Sequence, residues 1–108
     1  MSTGRGQLTG SGTNDNDVVM TLNRADPFDT FLLMSTAGAM DVFVSLDGTN
    51  FSTAALSLTD MGATTSSPVV VTAANRVYGF RGLFRSVRVL QNGGTAVQNA
   101  TLSYGTMT

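Results

Sequence analysis

Apolar and polar residues alternate along most of this chain, and that period of two constrains its fold more than any other feature. Val18, Met20 and Leu22 alternate with Asp17, Val19 and Thr21. Met40, Val42, Val44 and Leu46 alternate with Asp41, Phe43 and Ser45, and Ala54, Leu56 and Leu58 with Ala55, Ser57 and Thr59. Successive side chains of a strand point to opposite faces, so the pattern predicts strands half-buried against a core. Two runs are apolar throughout: Phe31, Leu32, Leu33 and Met34, then Val69, Val70 and Val71. They predict strands covered on both faces, by a second sheet and by another chain.

Turn chemistry punctuates these runs. Ala25-Asp26-Pro27 predicts a break after the first strand, and Ala37-Gly38 separates the second from the third. Asp47-Gly48-Thr49-Asn50 predicts a hairpin loop, because Asp-Gly supplies the positive φ such turns need. Thr64-Thr65-Ser66-Ser67-Pro68, Ala73-Ala74-Asn75 and Asn92-Gly93-Gly94 read as further loops, the last joining long strands over 83–91 and 95–104. Residues 59–63 suit one short helical turn. The sum is about eight short strands at roughly ten-residue spacing, which predicts one all-β sandwich, jelly-roll-like or immunoglobulin-like, over residues 17–108. Its expected core is Val18, Met20, Leu22, Val42, Val44, Leu56, Leu58, Val87, Val89 and Leu102.

Residues 1–16 read differently. They carry Gly4, Gly6, Gly10 and Gly12, with Leu8 as the one apolar residue beyond Met1. Such a stretch buries too little to offset its ordering entropy, so it is expected to be a flexible N-terminal arm that orders against a partner.

The chain contains no Lys, Glu, His, Cys or Trp. This removes the usual general base, the usual amine and thiol nucleophiles, disulfides, and the common ligands of zinc. No enzymatic activity, catalytic residue, cofactor or metal is expected. Asn14-Asp15-Asn16-Asp17 resembles the start of a calcium loop but lacks the glycine and the later glutamate, so it reads as a solvated entry to the first strand. The sequons at Asn50 and Asn99 are expected by chance in a chain this rich in Ser and Thr. No apolar run approaches the length of a membrane span, the N-terminus lacks the apolar core of a signal peptide, and no membrane partner is expected.

Seven aspartates precede residue 61, opposed by Arg5 and Arg24, and the remainder carries Arg76, Arg81, Arg85 and Arg88. Four arginines with no lysine make a poor nucleic-acid footprint, and no nucleic-acid partner is expected. Arginine beside aromatic residues is the usual anchor of a protein interface. The candidate interface residues are therefore Tyr78, Phe80, Arg81, Arg85 and Arg88, with Leu8 from the arm and Phe31 and Phe43 at a contact between subunits.

Two segments carry a family resemblance. Met40-Asp41-Val42-Phe43-Val44-Ser45-Leu46-Asp47-Gly48-Thr49-Asn50-Phe51 is similar to the strand and Ser-x-Asp-Gly-x-x-aromatic hairpin of many tailed-bacteriophage virion proteins. Phe84-Arg85-Ser86-Val87-Arg88-Val89 is similar to a late strand of the same small β-sandwiches. Most alike are the capsid decoration, or cement, proteins: short, enzymatically inert, often trimeric and commonly armed. The resemblance implies a homotrimer, binding to the major capsid protein, and a place on the capsid surface after synthesis in the bacterial host cytoplasm. A tail or fibre domain and a carbohydrate-binding module are the alternatives. The latter normally displays Trp or Tyr platforms, and this chain offers Tyr78 and Tyr104 alone.

Overall fold

A computed structural model describes residues 5–62, 68–94 and 97–106, the backbone alone at residues 5 and 24–28. Among them there is no helix. Six strands form one antiparallel sheet: β1 (Arg5–Gly12), β2 (Val18–Ser35), β3 (Ala39–Ser45), β4 (Thr59–Asp60), β5 (Val77–Asn92) and β6 (Gln98–Gly105). Their order is β1-β6-β2-β5-β3, with the short β4 added to β5. The sheet is strongly bent and barrel-like, in place of the eight-stranded sandwich expected.

The bend comes from the two long strands. In the first half of β2 the inward residues are Met20 and Leu22, paired with Val89 and Val87 of β5; in the second half they are Phe31 and Leu33, paired with Phe80 and Tyr78. The inward parity thus changes along both strands. The change falls where the register shifts, between Asn23 and Phe28 and again between Phe28 and Thr30. Extra residues in one strand of a pair kink it and re-aim its side chains, and strands that cross between layers this way make the corner of a folded sheet. Ala25-Asp26-Pro27 therefore does not end a strand. It supplies the irregularity inside β2, a position where proline's missing N–H is tolerated. On β5, Gly82 leaves room for the Phe84 ring, whose Cζ would lie 2.4 Å from a Cβ at that position.

The core lies between the two arms of the bend. Phe31, Leu33, Met40, Val42, Leu58, Val87, Val89 and Leu102 are essentially fully buried, joined by Val19, Met20, Leu22, Tyr78, Phe80 and Ala100. Most of the expected core is there. Val18 is the exception, 52% exposed while its neighbour Val19 is buried, because the register slips between Val18 and Met20. Val44 and Leu56 pack at the edge of the core, partly buried.

The predicted strands around Ala54, Leu56 and Leu58 and around Val69, Val70 and Val71 are mostly irregular, meeting in a single bridge between Leu58 and Val69. Their polar groups are used to cover the outer edge of β3. Ser52 and Leu56 N–H groups donate to the carbonyls of Val44 and Val42, both at 2.8 Å, and Thr72 N–H donates to Met40 O at 3.0 Å. Covering an exposed edge removes a template for unwanted strand pairing. The helical turn expected over residues 59–63 is instead β4 and a turn at 61–62. The loop expected over residues 64–68 lies outside the described residues except for Pro68, as do residues 95–96 at the start of the expected last strand.

The largest correction concerns the arm. Residues 5–12 form β1, paired along its whole length with β6 from Arg5↔Gly105 to Gly12↔Gln98, while residues 1–4 lie outside the described residues. The glycines permit this packing. A Cβ on Gly10 would lie 2.0 Å from Val19 O, and one on Gly6 2.6 Å from the Tyr104 hydroxyl oxygen. Leu8 faces Leu102 and packs against the core.

Candidate interaction surface

The structure divides the expected interface residues into two groups. Phe31, Tyr78 and Phe80 belong to the core, 1%, 3% and 6% exposed, and are withdrawn as surface anchors. Phe31 and Phe80 are cross-strand partners whose rings stack at 4.9 Å and 9°, with Phe84 tilted against Phe31 at 5.9 Å. Such aromatic contacts add to the burial of their large apolar surface. Tyr78 is tied by its hydroxyl, which accepts from Ala73 N–H at 2.8 Å. Leu8 is half-buried under β1, and Arg81 and Arg85 are exposed.

Phe43 and Arg88, far apart in sequence, are brought together. They are directly paired across β3 and β5, with Thr21 of β2 on the other side of Arg88. Paired residues share a face of the sheet, so Phe43, Arg88 and Thr21 form one row on its outside. A third residue completes the group. The Arg88 guanidinium carbon lies 4.0 Å from the Phe51 ring centroid, a cation–π contact. Arg88 Nε is buried without a hydrogen-bond partner, and no hydrogen bond holds the guanidinium among the described residues. Its orientation comes from stacking, which leaves its donors uncommitted.

The Ser-x-Asp-Gly turn puts Phe51 there. Asp47 Oδ1 accepts from Ser45 Oγ at 2.9 Å and from the N–H groups of Thr49 and Asn50, both at 2.8 Å; Oδ2 accepts from Asn50 Nδ2 at 2.8 Å. Gly48 supplies the left-handed backbone the turn requires, at φ 84°. This dense set of donors, the Asn50 N–H first, holds the Asp47 carboxyl far below the ordinary aspartate range. The chain then returns along β3, fixed by the Ser52 N–H to Val44 O bond, and the Phe51 ring meets Arg88. Sequence reasoning quoted Phe51 in its motif and did not single it out. The turn spacing was the signal available.

Beside this row, a shallow open cleft of about 450 Å³ is lined by Val44, Leu46, Asp47, Phe51, Ser52 and Phe84 among others. Among the described residues there is no cluster of three or more Asp side chains to hold a metal ion, and no helix long and apolar enough to cross a membrane. The charges are partly mixed, since Arg76 of the basic half forms an ion pair with Asp60 of the acidic half.

The fold defines a small all-β domain, and its outer row of Phe43, Arg88 and Phe51 has the chemistry of a contact surface. Family models and curated protein sequences yield no match to the chain. Among solved structures, its fold is similar to that of the SPBc2 prophage-derived protein YomS, with a TM-score of 0.76 and 10% identity over 98% of this chain and 96% of that one. Weaker likenesses, which bear on no functional question, join it to procruciferin of Brassica napus and the NovW sugar epimerase of Streptomyces spheroides. The procruciferin match has a TM-score of 0.48 and 16% identity, over 94% of this chain and 20% of that one. The epimerase match has a TM-score of 0.46 and 12% identity, over 95% and 47%.

Proposed function

We propose that this protein is a structural component of a tailed-phage particle, a decoration protein that binds the outer surface of the major capsid protein shell and stabilises it. The observation that carries the reading is the fold shared with a prophage-derived protein over nearly the full length of both chains. The Ser45-to-Phe51 hairpin and the strand around Arg88, which resemble phage virion proteins in sequence, also meet in space and form one surface.

The proposed role needs no catalysis. Stability would come from area buried across boundaries between capsid subunits, with many copies adding avidity to weak single contacts. Arg88 is suited to such a contact. Its guanidinium is planar, permanently charged and already oriented by Phe51, so little side-chain freedom is lost when it meets a carboxylate or carbonyl of the shell. A carbohydrate-binding role loses one of its two tyrosine platforms, because Tyr78 is buried.

The test is location and copy number. Quantitative mass spectrometry of purified particles is expected to find the protein in hundreds of copies on the shell. A few copies, lost when tails are removed, would assign it to the tail or fibre and overturn the decoration role. Arg88→Ala is expected to reduce occupancy on shells that lack the wild-type protein.

A further inference from the structure

The outside of the other arm of the bend is unlike the Arg88 row. Leu32, Met34, Met61 and Val77 are 39%, 37%, 59% and 37% exposed. They adjoin one another. Leu32 pairs with Gly79 and Met34 with Val77 across β2 and β5, and Met61 N–H donates to Val77 O at 2.9 Å. Met61 rests over Gly79, where a Cβ would lie 3.1 Å from its Sδ, so its own sheet covers one side of it. Across β6 the same two rows continue as Ser103 and Thr101, and across β1 as Gln7 and Thr9. Gln7 Nε2 donates to Ser103 Oγ at 3.3 Å within the row. These two rows carry no charged side chain.

We propose that this outer face of β4, β5, β2, β6 and β1 is a contact between two copies of this chain. Charge favours that occupant. A face without charge meets its own copy without like-charge repulsion, whereas a charged partner surface would have its ions desolvated and unpaired there. Area is sufficient. Five strands about 4.8 Å apart and about 25 Å long give roughly 500 Å² of face per copy, and two such faces reach the ~1,000 Å² of a specific interface. Shape agrees as well. Beside Leu32, Met61 and Gly79 the surface opens into a groove of about 420 Å³, so one face offers both apolar projections and a recess. A patch that carries both halves of a fit is self-complementary and closes with two-fold symmetry. The alternation of the run from Phe31 to Met34 then has a full account: Phe31 and Leu33 fill the core, and Leu32 and Met34 meet the second copy.

The contact is independent of where the protein sits in a particle and is tested on the purified protein. Sedimentation of the wild type from micromolar to sub-millimolar concentration is expected to show a mass of two chains forming reversibly. Met34→Arg and Met34→Asp are each expected to remain single chains with an unchanged circular dichroism spectrum. Mixed together they should restore a two-chain species containing one of each, read by native mass spectrometry. If either loses its fold, Thr9→Arg and Thr9→Asp on the exposed face of β1 serve the same test. A single-chain mass throughout, a three-chain mass, or association untouched by these charges would overturn the proposal.

Discussion

Arg88 lies over the face of Phe51, its guanidinium carbon 4.0 Å from the ring centroid, on the outer side of the sheet where Phe43 is its cross-strand partner. Cation–π contacts are worth about 0.5 to 2 kcal/mol depending on desolvation, and here the contact also fixes the direction of an uncommitted donor group. Phe51→Ala is therefore expected to weaken binding to shells by roughly 2- to 30-fold. Arg88→Lys should not restore the wild-type level, because an ammonium cannot stack flat or present a fork of donors. Co-sedimentation of each variant with shells measures both effects.

Leu33 and Leu102 are directly paired across β2 and β6 and both are fully buried. Truncating either to Ala is expected to cost about 2 to 5 kcal/mol, through lost burial and the cavity left behind. Val18→Ala, at a position 52% exposed, should stay within about 0.5 kcal/mol of wild type. Urea unfolding followed by circular dichroism compares the three.

Gly10 is the tightest point of β1. A methyl group there meets the backbone oxygen of Val19 at 2.0 Å, and a backbone atom held in a strand has nowhere to go. Gly10→Ala should lower the melting temperature and raise amide exchange along β1 and β6. An unaltered melting temperature would return residues 5–12 to the role of a loose arm. Gly93→Ala is the control for conformation without crowding. Nothing lies within 4 Å of its Cβ, yet φ is 80°, so it should cost about 1 kcal/mol.

Acid should destabilise the fold in a defined order. The carboxyls of Asp17, Asp47 and Asp60 all titrate below the ordinary aspartate value, held by backbone N–H groups of Thr13 and Asn14, by Asn50, and by Arg76 respectively. A group whose folded pKa is depressed contributes stability that is present above its unfolded pKa and lost as pH falls through the folded one. Stability should thus be level at neutral pH and decline from about pH 4 downward. Asp47→Asn should flatten the lower part of that decline, as followed by melting temperature against pH.

What the sequence revealed was local. Alternation placed Met20, Leu22, Val42, Val87 and Val89 inside correctly, because inward parity within one stretch of strand needs no knowledge of the partner. It failed at Val18, and it gave Phe31, Tyr78 and Phe80 a surface role, because a register shift and a corner decide which parity faces inward. Glycine misled in the same way. Gly6, Gly10 and Gly12 read as freedom in one dimension and serve as close contacts in three, against Tyr104, Val19 and Gln91. For the candidate surface, Phe43 and Arg88 were each legible as residue types. Their pairing is a property of β3 and β5 in register, and no spacing along the chain reports it.

The pairing of β1 with β6 sets a clock on the molecule. The strand near the start of the described chain obtains its partner from the strand near the end, so during translation it emerges first and waits longest. Closing a loop of that length is slow, and the final sheet order cannot exist on a nascent chain that still lacks β6. Each copy must therefore be completed and released before its outer faces are assembled, which keeps half-made chains from competing for places on a growing particle.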